Sequence, residues 1–328
     1  MSGMQALPFT LSNSLTHWSF SPFSVSVAVA LVLLAIWYLR ADWALTTRGR
    51  RWHRGRAAAF LTGLVVIDVA LQSSLATYVN WYFEAHVIQH LLLMVVAPTL
   101  LALGAPSTLF LQTASRRAKQ RWLHVLRSWP FALISNPIIV WFLYFGVMFV
   151  FFLTSLINVA MQHPALMDAL NILFLFGGCM FWWPMVGIDP VIHWKLSHAS
   201  RMLILLLGSG LEAFLGVAIL NAARPEASMY TLASSHSGGA LLWISVEIVN
   251  IAVFIPIFIQ WVRSEERLAA RVDARADREA ERAKVPLGED GPLAPARPRT
   301  LTFWEEQWIA RRGMVPLSAP PGTPEPPR

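Results

Sequence analysis

Two histidines, His86 and His90, stand four residues apart at the head of the apolar stretch HVIQHLLLMVVAPTLLALGAP, residues 86–106. On an α-helix that spacing puts both imidazoles on one face, where they can reach the same metal, as in the H-x-x-x-H pairs of zinc proteases. Met94 continues the column by another turn. Imidazole with thioether is a donor set that suits copper, and Cu(I) tolerates the sulfur best. One H-x-x-x-H is a weak signal, because two histidines inside a membrane can equally serve as hydrogen-bonding groups between helices. Pro98 has no N–H to offer the carbonyl of Met94, so the helix is expected to kink just below the histidines and free a backbone oxygen.

Ionisable residues at membrane depth are costly to bury and default to functional candidates. Asp68, His90, Glu212 and Glu247 each lie eight to ten residues in from the same end of four different apolar segments. At about 1.5 Å per residue they share a depth of roughly 12 to 15 Å. Three of the four are acids with no Lys or Arg at their level, a pattern that calls for a bound cation, a proton or neutral carboxyls. The alternative is that each acid is packing glue bonded to a neighbouring helix. His236, ahead of SGGALLW, and Met167 are further candidate ligands at this end, with His163, Met161, Asp168, Asn171 and Met229 nearby. The single cysteine, Cys179, excludes an intrachain disulfide and any C-x-x-C thiolate site, and reads as a small buried side chain.

Seven apolar runs must carry these residues. Of the 328 residues 55% are hydrophobic and only 14% charged, with 15 tryptophans, a balance no soluble core of this size could hide. Runs long enough to cross a bilayer fall at residues 23–39, 57–78, 82–103, 131–153, 165–186, 199–221 and 239–262. The expected fold is an all-α bundle of seven transmembrane helices over 23–262, with residues 1–22 an extracytoplasmic segment. The N-terminus lacks the basic region and cleavage site of a signal peptide, so the first span is expected to be retained. Net charge +7 does not indicate nucleic acid, because every Lys and Arg except Arg224 falls in the odd-numbered inner loops, their borders or the tail. The positive-inside rule then places the N-terminus outside and the C-terminus in the cytoplasm. The cytoplasmic tail, residues 263–328, reads as a charged helix, a Pro-rich linker, a short helix over TFWEEQWIARRG and a disordered end. The short helix is read either as lying on the inner leaflet or as docking a partner.

At AHVIQHLLLMVVAPTLLALGAP the chain resembles the CtaG family of bacterial membrane proteins, linked to assembly of caa-type cytochrome c oxidase. FWWPMVGIDP in span five and GGALLW in span seven support the resemblance, which runs from about residue 20 to 262. The resemblance implies seven spans in the bacterial inner membrane and a role in maturing a respiratory-chain oxidase, with His86 and His90 as the motif histidines. The family pattern has two histidines four apart at the start of span five, where this sequence has Met167 and Asn171. It has Asp-Gln ahead of the glycines of span seven, where this sequence has SSHSGG.

The leading expectation is therefore a non-enzymatic assembly factor that handles copper at the outer face for an oxidase subunit. His86, His90 and Met94 would be the primary ligands, with His236 and Met167 substituting for the changed positions and Asp68, Glu212 and Glu247 tuning charge or moving protons. Membrane lipid is the other expected partner. The alternatives are an inner-membrane transporter of copper or protons and a haem-binding membrane protein that pairs His90 with His236. The topology has a direct check: alkaline phosphatase fused after Ala222 should be active, and fused after Ala114 inactive, in a bacterial host.

Overall fold

The computed structural model describes residues 18, 21–189 and 193–284. The Pro-rich linker and the TFWEEQWIARRG helix expected in the tail lie outside the described residues. Helix starts follow from side chains that accept the free N–H groups of a first turn. Ser21 accepts from Ser24 ahead of Pro22, and Asn136 accepts from Ile138 and Ile139 ahead of Pro137. Ser73, Ser115, Ser128 and Ser197 cap their helices in the same way.

Six helices among the described residues are long and apolar enough to cross a membrane, and a bent pair brings the number to seven if it is counted as one span. In chain order they are Pro22–Thr47, Arg54–Tyr78, Phe83–Thr113, Pro137–Leu153 with Leu156–Gln162, Pro164–Val186, His198–Leu220 and Leu232–Glu281. No strand occurs among the described residues, so the protein is an all-α, multi-pass membrane protein. Large apolar side chains exposed along the spans fit this, among them Leu33, Phe142, Leu206 and Ile248.

Several boundaries differ from the sequence expectation, among them the ends of span three at Thr113 rather than 103 and of span seven at Glu281 rather than 262. Span one continues to Thr47 rather than stopping at residue 39. Span four begins at Pro137 rather than 131, because Asn136 and Pro137 open a new helix after the separate short helix Trp129–Ile134. It then bends by 77° into Leu156–Gln162. Span seven starts at Leu232 rather than 239, since Thr231 accepts from the Ser234 N–H and Gly238 and Gly239 lie inside the helix. The unit through Ser264 contains the first six spans and the first part of the helix Leu232–Lys284, and residues from Glu265 form a second unit whose helical part is described through Lys284.

Span three is shared by two hydrophobic cores. Leu93 and Ala97 pack with Tyr38, Leu45, Phe60 and Ile67 of spans one and two. Val87, Met94 and Val95 pack with Phe151, Phe174, Leu215 and Leu242 of spans four to seven. The span is not a plain helix: α-helix over Phe83–Leu91 gives way to a π-helical turn at Leu92–Val96 and returns to α-helix at Ala97–Leu103. Across that turn the Ala97 N–H reaches the carbonyl of Leu92, five residues back. The lost bond at Pro98 is thus absorbed by widening one turn. The Met94 carbonyl faces span five at Gly178, where any Cβ would collide with it.

At the other end of span three the turn Gly104–Ala105–Pro106 places Ala105 in the left-handed region, with φ 49°. The Tyr38 hydroxyl donates to the Gly104 carbonyl at 2.7 Å, and Trp52 Nε1 donates to that hydroxyl at 2.9 Å. Buried Asp189, from FWWPMVGIDP, accepts from the backbone N–H groups of Ser107 and Thr108 at 3.1 and 2.8 Å. It also accepts from the Thr108 hydroxyl at 2.6 Å and from Trp183 Nε1 at 3.2 Å. The second family motif is therefore a clamp on the end of the first.

The Gly178 contact yields a matched pair of variants. Gly178→Val should lower the melting temperature of the detergent-purified protein by several degrees. Gly177→Val, at a glycine with open space around its Cβ position, should leave it nearly unchanged in the same fluorescence-detected assay.

Candidate functional site

His86 and His90 are both buried, and their rings stack with centroids 4.7 Å apart and planes 19° from parallel. The i, i+4 spacing on a regular α-helical segment produces this stacking. Around them is an aromatic cage. Phe151, Phe152 and Phe174 approach His90 with centroids at 5.0, 5.3 and 4.3 Å, the last nearly perpendicular. Phe83, Phe151, Phe152 and Tyr230 surround His86.

The cage is nearly without hydrogen-bond partners. His90 Nδ1, His90 Nε2 and His86 Nε2 have none among the described residues. An unpaired buried polar atom costs about 1–3 kcal/mol, so three on two adjacent imidazoles need an explanation beyond packing.

The fourth ring nitrogen is held. Tyr230 donates its hydroxyl to the Val79 carbonyl at 2.8 Å, and the same oxygen lies 2.8 Å from His86 Nδ1. With the phenol proton committed to Val79, Nδ1 must carry the proton and donate to Tyr230. That arrangement assigns the His86 tautomer and leaves Nε2 with a free lone pair, the geometry by which an outer hydrogen bond orients a metal-binding imidazole. Tyr230 lies in the segment before span seven, and its burial, helped by the Glu84 carboxylate, pushes the phenol well above its usual range, so it remains a proton donor.

Neighbouring contacts fix the head of the helix. Ser234 accepts from the Phe83 N–H at 2.9 Å and donates to the Glu84 carboxylate. Gln89 Nε2 donates to the Ala70 carbonyl at 2.8 Å, tying span three to span two. Gly238 lies so close to Phe83 that no Cβ fits between them.

The other expected site residues are distributed differently. Met94 is buried, but the π-turn starting at Leu92 breaks the regular column from His90, and its carbonyl faces Gly178. His236 Nε2 lies 2.9 Å from the Ala222 carbonyl, which secures the turn after span six. Met167 is partly buried against the larger core. With Asn171 and Phe174 it falls on one face of span five, and Phe174 shows that this face meets His90. Asn171 is buried, with Oδ1 unpartnered among the described residues.

The acids at one depth separate into two places. Asp68 accepts from Gln72 on its own helix. Glu247 accepts from the Ser209 hydroxyl at 2.9 Å, and buried Glu212 has Asn250 and Glu247 as polar neighbours, so these two acids join spans six and seven. No group of three or more His, Cys, Asp or Glu side chains positioned to hold a metal occurs among the described residues. Sequence reading missed Tyr230 and Ser234. A lone tyrosine before a helix and a serine in its first turn carry no periodic signal in an apolar protein.

The profile of the cytochrome c oxidase caa3 assembly factor family, Caa3_CtaG, matches residues 36–264, more than half of the chain. The chain belongs to this family. The caa3 assembly factor match runs from the middle of span one into span seven and takes in His86, His90 and the Asp189 clamp. Among curated proteins the chain is similar to uncharacterized proteins of Mycobacterium bovis and Mycobacterium tuberculosis, each 29% identical over 288 residues. One from Mycobacterium leprae is 28% identical over 288 residues. Each alignment covers 82% of this chain and 43% of the relative, so the chain spans less than half the length of these curated proteins. No solved structure matches the chain.

Removing the phenol tests the hydrogen-bond assignment. Tyr230→Phe leaves the Val79 carbonyl and His86 Nδ1 without their partner and should cost about 1–3 kcal/mol of stability. The Nδ1 nitrogen resonance of His86 should move toward the value of an unbonded imidazole in selectively labelled protein.

Proposed function

We propose that this caa3 assembly factor handles copper in a bacterial inner membrane, receiving the ion at the outer face and passing it to an oxidase subunit. The observation that carries the reading is the trio of buried imidazole nitrogens without partners on stacked His86 and His90, next to a Tyr230 bond that presets one lone pair. The donor set fits the cargo. Imidazole nitrogens suit copper, the aromatic cage excludes competing water, and the absence of a carboxylate or thiolate on the pair favours a monovalent ion. Two protein donors alone make a weakly held, transferable ion, which suits delivery better than storage.

The face of span five that meets His90 supports the same reading. Met167 and Asn171 occupy the positions where the family resemblance has histidines, and they lie on the face marked by Phe174. This chain then offers a thioether and an amide where the pattern offers two imidazoles, and so a weaker site. The haem alternative finds no support, because His236 bonds the Ala222 carbonyl and phenylalanine rings pack directly against His90. The joined pair Glu212 and Glu247 favours a second reading, in which spans six and seven pass protons or cations. That reading requires total cellular copper or pH homeostasis to depend on Glu247.

Equilibrium competition with a Cu(I) chelator decides the metal question. Wild type should bind one Cu(I), His86→Ala/His90→Ala should lose it by at least tenfold in affinity, and Asn171→His should gain about tenfold. No difference between wild type and the double variant sinks the copper site. In a deletion strain, oxidase copper content should fall while total cellular copper is unchanged.

A further inference from the structure

The end of the bundle opposite the histidines contains a cavity of about 480 Å³. It is bounded by span one, the turn after span three, helices Arg116–Arg127 and Trp129–Ile134, and span five. That volume falls within the range of about 300–1,000 Å³ typical of small-molecule sites. Trp37, Phe110, Trp122, Leu126, Phe131 and Met180 make most of the wall, and no Lys, Arg, Asp or Glu lines it. Ser107, Ser135, His193 and the Trp122 N–H add a few polar groups to the wall, so whatever enters must bury mostly hydrocarbon.

The surroundings fix the sign of that charge. Helix Arg116–Arg127 is amphipathic: Trp122 and Leu126 face the cavity, and Arg116, Arg117, Lys119, Arg121 and Arg127 supply five cations. Residues 107–130 contain no carboxylate to neutralise them. Asp189 has both oxygens occupied by Ser107, Thr108 and Trp183, and Asp42, another acid at this end, is carried by span one rather than by helix Arg116–Arg127. Lys119 is half-buried one turn before Trp122 on the cavity-facing side. Trp122 Nε1 is a buried donor with no partner among the described residues. An apolar slot beneath a rim of unopposed cations and a free N–H donor complements a hydrocarbon chain bearing an anionic phosphate, as in basic lipid pockets between helices.

We propose that this cavity is a lipid site, in which one acyl chain of an anionic phospholipid fills the slot and its phosphate lies against Lys119 and the Trp122 N–H. The site is separate from the histidine pair, so the proposal stands or falls independently of copper.

The test uses the full chain in detergent. Native mass spectrometry with phosphatidylglycerol and with phosphatidylcholine of identical chains should show the anionic lipid retained at least fivefold more strongly, and Lys119→Glu should reduce that preference to about parity. Phosphatidylglycerol carrying a diazirine in its acyl chain should cross-link within 122–131 and 179–184, and Met180→Trp, which fills the cavity, should abolish those cross-links. Equal retention of the two lipids by wild type overturns the proposal, as do cross-links confined to outward residues such as Leu33 and Phe142. Displacement of the lipid by millimolar inorganic phosphate also overturns it, since that outcome assigns the cations to a free anion. Lys119 is half-buried and lies outside the cavity lining, so loss of preference in its variant is read separately from any packing defect of Met180→Trp.

Discussion

The missing N–H of Pro98 is the constraint on which the rest of the bundle depends. It leaves the Met94 carbonyl without its helical partner, and the chain responds by widening one turn to a π-helix rather than breaking. A widened turn lets span three face two cores at once: Leu93 and Ala97 pack toward spans one and two, and Val87, Met94 and Val95 toward spans four to seven. Span five meets the widened turn through Gly178, the one residue type that fits against the exposed oxygen. The histidines above and the Asp189 clamp below are then held at two ends of a single element whose rotation is already fixed.

Much of this was legible in the sequence, because it rests on local chemistry. The apolar runs and the i, i+4 histidine spacing need nothing beyond neighbouring residues, and they recur in the structure as spans and stacked rings. Pro98 announced a disturbance but not its form, since a kink and a π-turn satisfy the same missing bond and packing chooses between them. The common depth of Asp68, Glu212 and Glu247 was legible, but depth along an axis says nothing about direction around it. Asp68 turns to Gln72 on its own helix, whereas Glu247 of span seven turns to Ser209 of span six.

What the sequence hid are long-range partnerships. Tyr230 reaches His86 across 144 residues and Val79 across 151, and Ser234 reaches Phe83 across 151. No periodicity encodes such pairs. The motif FWWPMVGIDP shows the same limit in another way. Its aromatic residues read as an interfacial belt, whereas Trp183 and Asp189 close a polar clamp on the turn Gly104–Ala105–Pro106. Family membership then says which motifs belong together, and the geometry says that two of them are the two sides of one joint.

The bond between Tyr230 and His86 has a consequence for control. The residue that determines which nitrogen of a buried imidazole carries its proton belongs to the segment before span seven, outside the apolar spans. The chemical character of the interior pair is therefore set from outside span three, by a buried side chain of that segment. Anything that moves that segment rewrites the proton inventory of the cage without touching span three.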